Sequence, residues 1–188
     1  PLIIEGLRKL EYRGYDSAGV AVINGDQLEV RKDAGKLSQL IDLVEKSPIA
    51  GAPGVGHTRW ATHGAPNARN AHPHLGQTKR VVVVQNGIVE NFLELKDELT
   101  AEGVEFQSET DTETIVHLVE HYLATGIGLV EAARKTFNQI RGANVVVLIS
   151  ADEPDKIVTA RIGNAGGVVI GMGEGENFIA SDTPAIMD

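Results

Sequence analysis

Cysteine is absent from the 188 residues. Without a thiol this stretch holds no disulfide framework, no thiolate zinc site and no cysteine nucleophile of its own. Aromatic residues make up only 4%, and Trp60 is the one tryptophan. No apolar run approaches the roughly 18 residues that a membrane-spanning helix needs. The opening PLIIEGLRKLEYRG lacks signal-peptide organisation. The expectation is a chain that neither spans a membrane nor is exported, resident in the cytoplasm.

With 42% hydrophobic and 23% charged residues, the composition excludes a disordered segment. The length suits one domain with a real core. Net charge is −9, unevenly spread: residues 1–89 carry 11 Lys/Arg against 8 Asp/Glu, whereas residues 90–131 carry 1 against 11. The acidic excess argues against nucleic-acid and anionic-membrane partners, and the plain reading is a solvated helix face.

Leu2, Ile3, Gly6, Leu7 and Leu10 recur at helical spacing. No N-cap precedes them, since Pro1 and Leu2 already lie inside the pattern, so the chain is expected to start in mid-domain. Two β-rich runs, residues 17–23 and 27–32, flank Asn24-Gly25-Asp26 and predict a hairpin. A short helix over 36–46, a strand at 55–58 and a polar loop with most of the histidines follow. Val81–Gln85 is a β-branched run broken by Asn86-Gly87. Helices are expected from Phe92 to Gly103, from the capping box Thr110-x-x-Glu113 to Ala124, and over 128–140. The remainder reads as strands at 144–150, 157–162, 168–170 and 178–181. Strands and helices that do not alternate strictly indicate α+β, a layered sandwich and not a doubly wound sheet.

Several motifs weaken on inspection. Gly171-Met172-Gly173-Glu174-Gly175 lacks dinucleotide-fingerprint spacing and precedes a strand, so it reads as a hairpin turn. His117-Leu118-Val119-Glu120-His121 matches a zinc-peptidase pattern. Taking Ile115, Leu118, Val119 and Tyr122 as the apolar face puts both histidines and Glu120 on the wet side. His57, His63, His72 and His74 match no common zinc spacing; structural or substrate-contact roles are expected. Three other features are better suited to chemistry. Arg59 follows a strand beside hydroxyls and can grip a carboxylate bidentately. Asn86-Gly87 can aim a side-chain amide and a backbone N–H at one oxyanion. Asp111, at a helix start, can hold an ammonium group. Together they describe a site for a free α-amino acid, although Asn-Gly is also a common turn and acidic helix starts also serve the dipole.

Leu10–Gly19, His57–Gly64, Asn70-Ala71-His72-Pro73-His74, Asn86–Asn91, Ser108–Glu113 and Glu176–Asp182 occur in this order. Taken together, the chain resembles the glutaminase half of the glucosamine-6-phosphate synthases, the isomerising glutamine:fructose-6-phosphate aminotransferases. The resemblance implies the four-layer αββα sandwich of N-terminal-nucleophile hydrolases. It implies glutamine hydrolysis through a glutamyl-thioester on an N-terminal cysteine, with the cysteine's own α-amine as base. Ammonia then serves a sugar-isomerase half that turns fructose 6-phosphate into glucosamine 6-phosphate. The family calls for no cofactor and no metal, and for a homodimeric parent. By the same resemblance, Arg59 with Thr62 and His63 binds the glutamine α-carboxylate region, and Asp111 binds the α-amino group. Asn86 and the Gly87 N–H form the oxyanion hole, and His72 lies near the glutamine site. Arg13 lies close to the nucleophile and Trp60 gates ammonia.

The family's opening Cys-Gly-Ile-Val-Gly strand and its isomerase half do not occur in the 188 residues. The expectation is a glutamine amidotransferase domain truncated at both ends and inactive as it stands, since Pro1 offers no nucleophilic side chain. Gln85 stands where some members carry histidine, and Gly163-Asn164-Ala165-Gly166-Gly167 replaces a shorter turn. The alternatives are a metal-dependent hydrolase built on His117 and His121, and a non-catalytic glutamine-binding module.

Overall fold

Helical and alternating apolar patterns become helices and strands in the computed structural model, which describes residues 2–187. In chain order these are α1 (Leu2–Leu10), β1 (Ser17–Asn24), β2 (Gln27–Ala34), α2 (Leu37–Lys46), β3 (Gly54–Arg59), β4 (His74–Leu75) and β5 (Val81–Gly87). Then come α3 (Phe92–Ala101), α4 (Glu113–Leu123), α5 (Leu129–Gln139), β6 (Asn144–Ser150), β7 (Ile157–Ile162), β8 (Val169–Met172) and β9 (Asn177–Ala180). Pro1, read as part of the first helix pattern, lies outside the described residues.

The strands form an antiparallel sheet β2-β1-β3, an antiparallel sheet β4-β5-β6-β7, and the hairpin β8-β9. Side chains on a strand alternate between faces, and here both faces of each main sheet are covered. Val82 and Val84 of β5 meet Ala21 and Ile23 of β1 and Ile149 of β6 between the sheets. Val81 and Val83 point the other way, into a core with Leu95, Ile115, Leu118, Leu129 and Leu148 beneath α3, α4 and α5. On the far side, Leu7, Leu37 and Leu40 of α1 and α2 cover Ala18 and Val20 of β1. Three separate cores therefore join four layers: helices, sheet, sheet, helices. That explains why Val81–Val84 is apolar without alternation, since neither of its faces is wet.

The first hairpin has the expected register, Asn24 opposite Gln27, with Gly25 at φ +61° in the turn. The expected hairpin link falls at residues 173–176, with Gly171 and Met172 still paired in β8, and Gly173 N–H donates to the Glu176 carbonyl at 2.9 Å.

Two expectations are corrected. Thr110 and Glu113 do not form a capping box. The Thr110 hydroxyl lies 2.9 Å from His74 Nε2, and the Glu113 carboxylate accepts the N–H groups of Gln107 and Ser108, both at 2.7 Å. The two side chains serve the preceding segment instead, and α4 begins without a side-chain cap. Nor does His117 lie on a wet face. Residues Glu113–Val119 are all buried, because the first turns of α4 are enclosed by β4, β5, α3 and α5. An enclosed helix has no wet side for periodicity to find. His117 Nε2 instead meets Glu113 at 3.3 Å, while His121 turns outward to Glu102 at 2.8 Å. The histidines of that pattern diverge. Among the described residues no group of three His, Cys, Asp or Glu is arranged to hold a metal ion.

Candidate active site

The ends of β3 and β5, the loop after β3 and the segment before α4 converge on one cavity of about 1290 Å³. Arg59 ends β3 and is 4% exposed. Its Nη2 donates to the carbonyl of His63 and, at 3.5 Å, to that of Gly64, so the guanidinium folds its own loop around itself. Nη1 is buried and has no hydrogen-bond partner among the described residues. A buried guanidinium with one donor unspent suits a carboxylate ligand. Burial lowers the Arg59 pKa while Asp16 and Asp111 raise it, and the side chain remains a cation.

Asp16 fixes the same loop from behind. Its Oδ2 accepts the N–H of Ala61, and its backbone N–H donates to the Arg59 carbonyl at 3.3 Å. Thr62 lines the cavity. His63 packs edge-on against Phe92 at 5.1 Å, and its Nδ1 stands 3.8 Å from Asp111 Oδ1. Asp111 is 3% exposed; its Oδ2 accepts the N–H of Val89 at 2.7 Å. The other carboxylate oxygen keeps capacity for a cation.

Asn86 and Gly87 close β5, and the strand continues through them, paired with Val145 and Asn144 of β6. The expected break after Gln85 is thus absent. Gly87 has φ +132°, and a Cβ there would stand 2.1 Å from the Ala143 carbonyl. Only glycine fits this backbone angle and this close approach, and Gly87 lines the cavity. Asn86 Oδ1 lies 3.0 Å from His57 Nε2.

His72 is buried against His57, ring centroids 4.4 Å apart, and against His74 at 4.9 Å. Burial pushes the His57 pKa down to about 4 and holds His72 and His74 well below the usual histidine value. Lys32 braces their loop, donating to the carbonyls of Ala71 at 2.8 Å, Pro73 at 3.2 Å and Arg69 at 3.3 Å. Burial brings its pKa down to about 8.

Arg59, Thr62, His72, Asn86, Gly87 and Asp111 all line the one cavity, together with Arg13 and Trp60. Arg13 Nη1 reaches the Ser181 carbonyl at 3.3 Å and Asp182 at 3.9 Å. Trp60 is 62% exposed and rests edge-on against Tyr15 at 5.5 Å. Asp16 and Gln85 escaped sequence reasoning as parts of the site, and His57 carried only the general expectation of a structural or substrate-contact role. Period-two alternation does put His57 on the face of β3 that Arg59 shares, and that signal was readable. Gln85 donates to Asn144 Oδ1 and accepts from Thr112 Oγ1, both at 2.6 Å, a role only pairing reveals.

Two sheets packed face to face between helices, with a polar site where β3 and β5 end, define an amidotransferase fold of the N-terminal-nucleophile type. Two solved structures share it. A glutamine phosphoribosylpyrophosphate amidotransferase from B. subtilis superposes with a TM-score of 0.83 at 25% identity, covering 98% of this chain and 39% of that one. The structure described as the allosteric regulatory enzyme of purine biosynthesis gives 0.85 at 26%, with the same coverage. Residues 57–187 match the family described as glutamine amidotransferase domain, and the chain belongs to that family. Glutamine--fructose-6-phosphate aminotransferase [isomerizing] of Thermococcus kodakarensis is 50% identical over 187 residues, all of this chain and 31% of that protein. The protein of the same name from Thermus thermophilus is 51% identical over 186 residues, 99% of this chain and 30% of its own. The chain therefore spans about a third of the length of these curated relatives.

Proposed function

We propose that this domain binds L-glutamine and releases its amide nitrogen as ammonia, as the glutaminase part of an isomerising glutamine:fructose-6-phosphate aminotransferase. The observation that carries it is the unspent buried donor of Arg59 sharing a cavity with the Asp111 carboxylate and the Asn86-Gly87 pair. An α-carboxylate, an α-ammonium and an amide carbonyl each meet their complement there. Thr62 and His72 complete the walls, and His63, outside the lining, backs Asp111 at 3.8 Å. The names of relatives at about 50% identity support fructose 6-phosphate as the acceptor in the whole protein.

The nucleophile is a cysteine thiol carried by a segment outside these residues. Among the described residues β3 and β9 are edge strands and both line the cavity, which supports an added strand that brings its first residue to the site. The thiolate attacks the glutamine amide carbon, its proton held by the cysteine α-amine, whose pKa near 8 suits the transfer. Asn86 Nδ2 and the Gly87 N–H take the charge that gathers on the oxygen. The carbon–nitrogen bond breaks as the amine returns the proton to the leaving ammonia, and water cleaves the thioester to glutamate. Arg13 stands near that nucleophile and Trp60 gates the ammonia's path. The reading includes a homodimeric, cytoplasmic parent without a nucleic-acid partner, the last supported by the net charge of −9.

Calorimetry with L-glutamine tests the site. Binding by this chain, weakened by Arg59→Ala and by Asp111→Ala, is expected, and loss in neither variant removes the assignment. The 188 residues alone should turn over no glutamine, and a cysteine-bearing upstream segment should bring turnover. Turnover without it would sink the cysteine mechanism.

A further inference from the structure

An amide makes a selective oxyanion donor only if its orientation is fixed. Asn86 offers Nδ2, which stabilises a developing negative charge, and Oδ1, which repels it. The two ends have nearly the same shape, so packing alone does not choose between them. The contact that does choose lies across the sheet-to-sheet interface, where His57 Nε2 on β3 lies 3.0 Å from Asn86 Oδ1 at the end of β5. With Oδ1 engaged there, Nδ2 is the end left for a ligand.

Resting on the glutamine reading above, we infer that His57 is a positioning residue for the oxyanion hole. Its neutral imidazole, protonated on Nε2, donates to Asn86 Oδ1 and so presents Nδ2 to the substrate amide oxygen. The chemistry of the ring and two observations support this. A neutral imidazole has one N–H, and tautomer and amide orientation are locked together. A proton on Nδ1 would leave a lone pair on Nε2, and Asn86 would then turn its NH2 to the histidine and its oxygen to the substrate. Nδ1 is buried with no hydrogen-bond partner among the described residues, so a proton there would be stranded. Finally, the ring itself is held: it packs against His72 with centroids 4.4 Å apart and planes tilted by 36°, and His72 Nδ1 accepts the N–H of Gln85 at 3.5 Å. The histidine pair thus grips β5 at two successive residues, one by its backbone and one by its side chain. Gln85 does not compete for Asn86, because its own amide is spent on Asn144 and Thr112.

The experiment has two arms. Long-range proton–nitrogen NMR on this chain should show His57 neutral with its proton on Nε2; a proton on Nδ1, or a charged ring near pH 7, overturns the inference. In the nucleophile-bearing protein, His57→Phe keeps a ring and removes the donor, while His57→Gln keeps an N–H at similar reach. His57→Phe should lower kcat about 100-fold, the scale of one oxyanion donor, with KM within about threefold. His57→Gln should recover about tenfold of that loss. The double variant His57→Phe/Asn86→Ala should be no slower than Asn86→Ala, since both remove one donor. Additive losses, or a raised KM with kcat unchanged, overturn the inference. If His57→Phe does not fold, the tautomer and the His57→Gln variant still decide. Absence of glutamine binding by the unaltered chain would instead refute the glutamine reading, so the two failures are distinguishable.

Discussion

Asp111 Oδ2 accepts the backbone N–H of Val89 at 2.7 Å, tying the start of α4 to the turn that follows Asn86-Gly87. One carboxylate therefore does two things, holding a loop with one oxygen and facing the cavity with its charge. The tasks separate by substitution. Asp111→Asn keeps an acceptor for Val89 and should change stability little, while glutamine affinity falls about 10- to 100-fold. Asp111→Ala should also lose about 1–3 kcal/mol of stability, because a buried N–H is left without a partner. Calorimetry and urea denaturation of both variants read the two effects apart.

Arg59 binds the loop carbonyls of His63 and Gly64. Arg59→Lys preserves charge but cannot span two carbonyls and a ligand with one planar group. Glutamine affinity is expected to fall about 10- to 100-fold, with faster amide hydrogen exchange over residues 60–64. Unchanged exchange in that loop would show that Arg59 does not order it.

Gly87→Ala should destabilise the domain by at least about 2 kcal/mol. The backbone angle of +132° disfavours any Cβ, and the Ala143 carbonyl occupies the space it needs. The urea midpoint measures this, and a shift below about 0.5 kcal/mol would mean that β5 and β6 can separate cheaply.

Stability should fall on the acid side. His57 is held near 4 against an ordinary 6.5, so between these values the unfolded chain takes up a proton that the folded chain refuses. Its contribution is complete above pH 6.5 and lost as pH falls toward 4, by up to about 1.4 kcal/mol per pH unit. His72 and His74 shift the same way. Glu113 acts lower. Burial alone would raise it, but bonds from His117, Ser108 and backbone N–H groups outweigh that and hold it at about 2, so its contribution disappears below its ordinary 4.5. His117, raised by Glu113 and Glu120 against its burial, contributes below 6.5 and is lost as pH climbs. Urea midpoints from pH 4 to 8 should rise to a maximum near neutrality, and His57→Phe should flatten the acid limb by about one proton. A flat acid limb in the unaltered chain would contradict the burial of the histidines.

Trp60→Ala should change stability by less than about 0.5 kcal/mol, as the ring is exposed and touches Tyr15 only by its edge. Glutamine affinity should stay as it is. Transfer of ammonia to the sugar in the whole protein should drop, read as glutamate formed in excess of amino sugar; tight coupling in that variant would argue against a gate.

Local patterns were the readable part of this fold. Asn24-Gly25 marked its hairpin, and the apolar spacing of α1 marked a helix, because turns and single-faced helices are decided by neighbours in the chain. The first turns of α4 and the Thr110–Glu113 pair were misread for the converse reason. Their side chains answer to His74, Ser108 and Gln107, partners no local pattern can announce.

For the site, Arg59, Asn86, Gly87 and Asp111 were legible by chemistry and by resemblance, and the zero count of cysteine already left these residues without a thiol nucleophile. The sequence by itself determined which groups are available and which local elements carry them. Only the tertiary structure decided that β3 and β5, from different sheets, end beside the same cavity. It also left Arg59 Nη1 without a partner among the described residues and set His57 against Asn86. Those are relations between residues 27 positions apart or more in the chain, or properties of the space around them, and packing of the two sheets is what creates them.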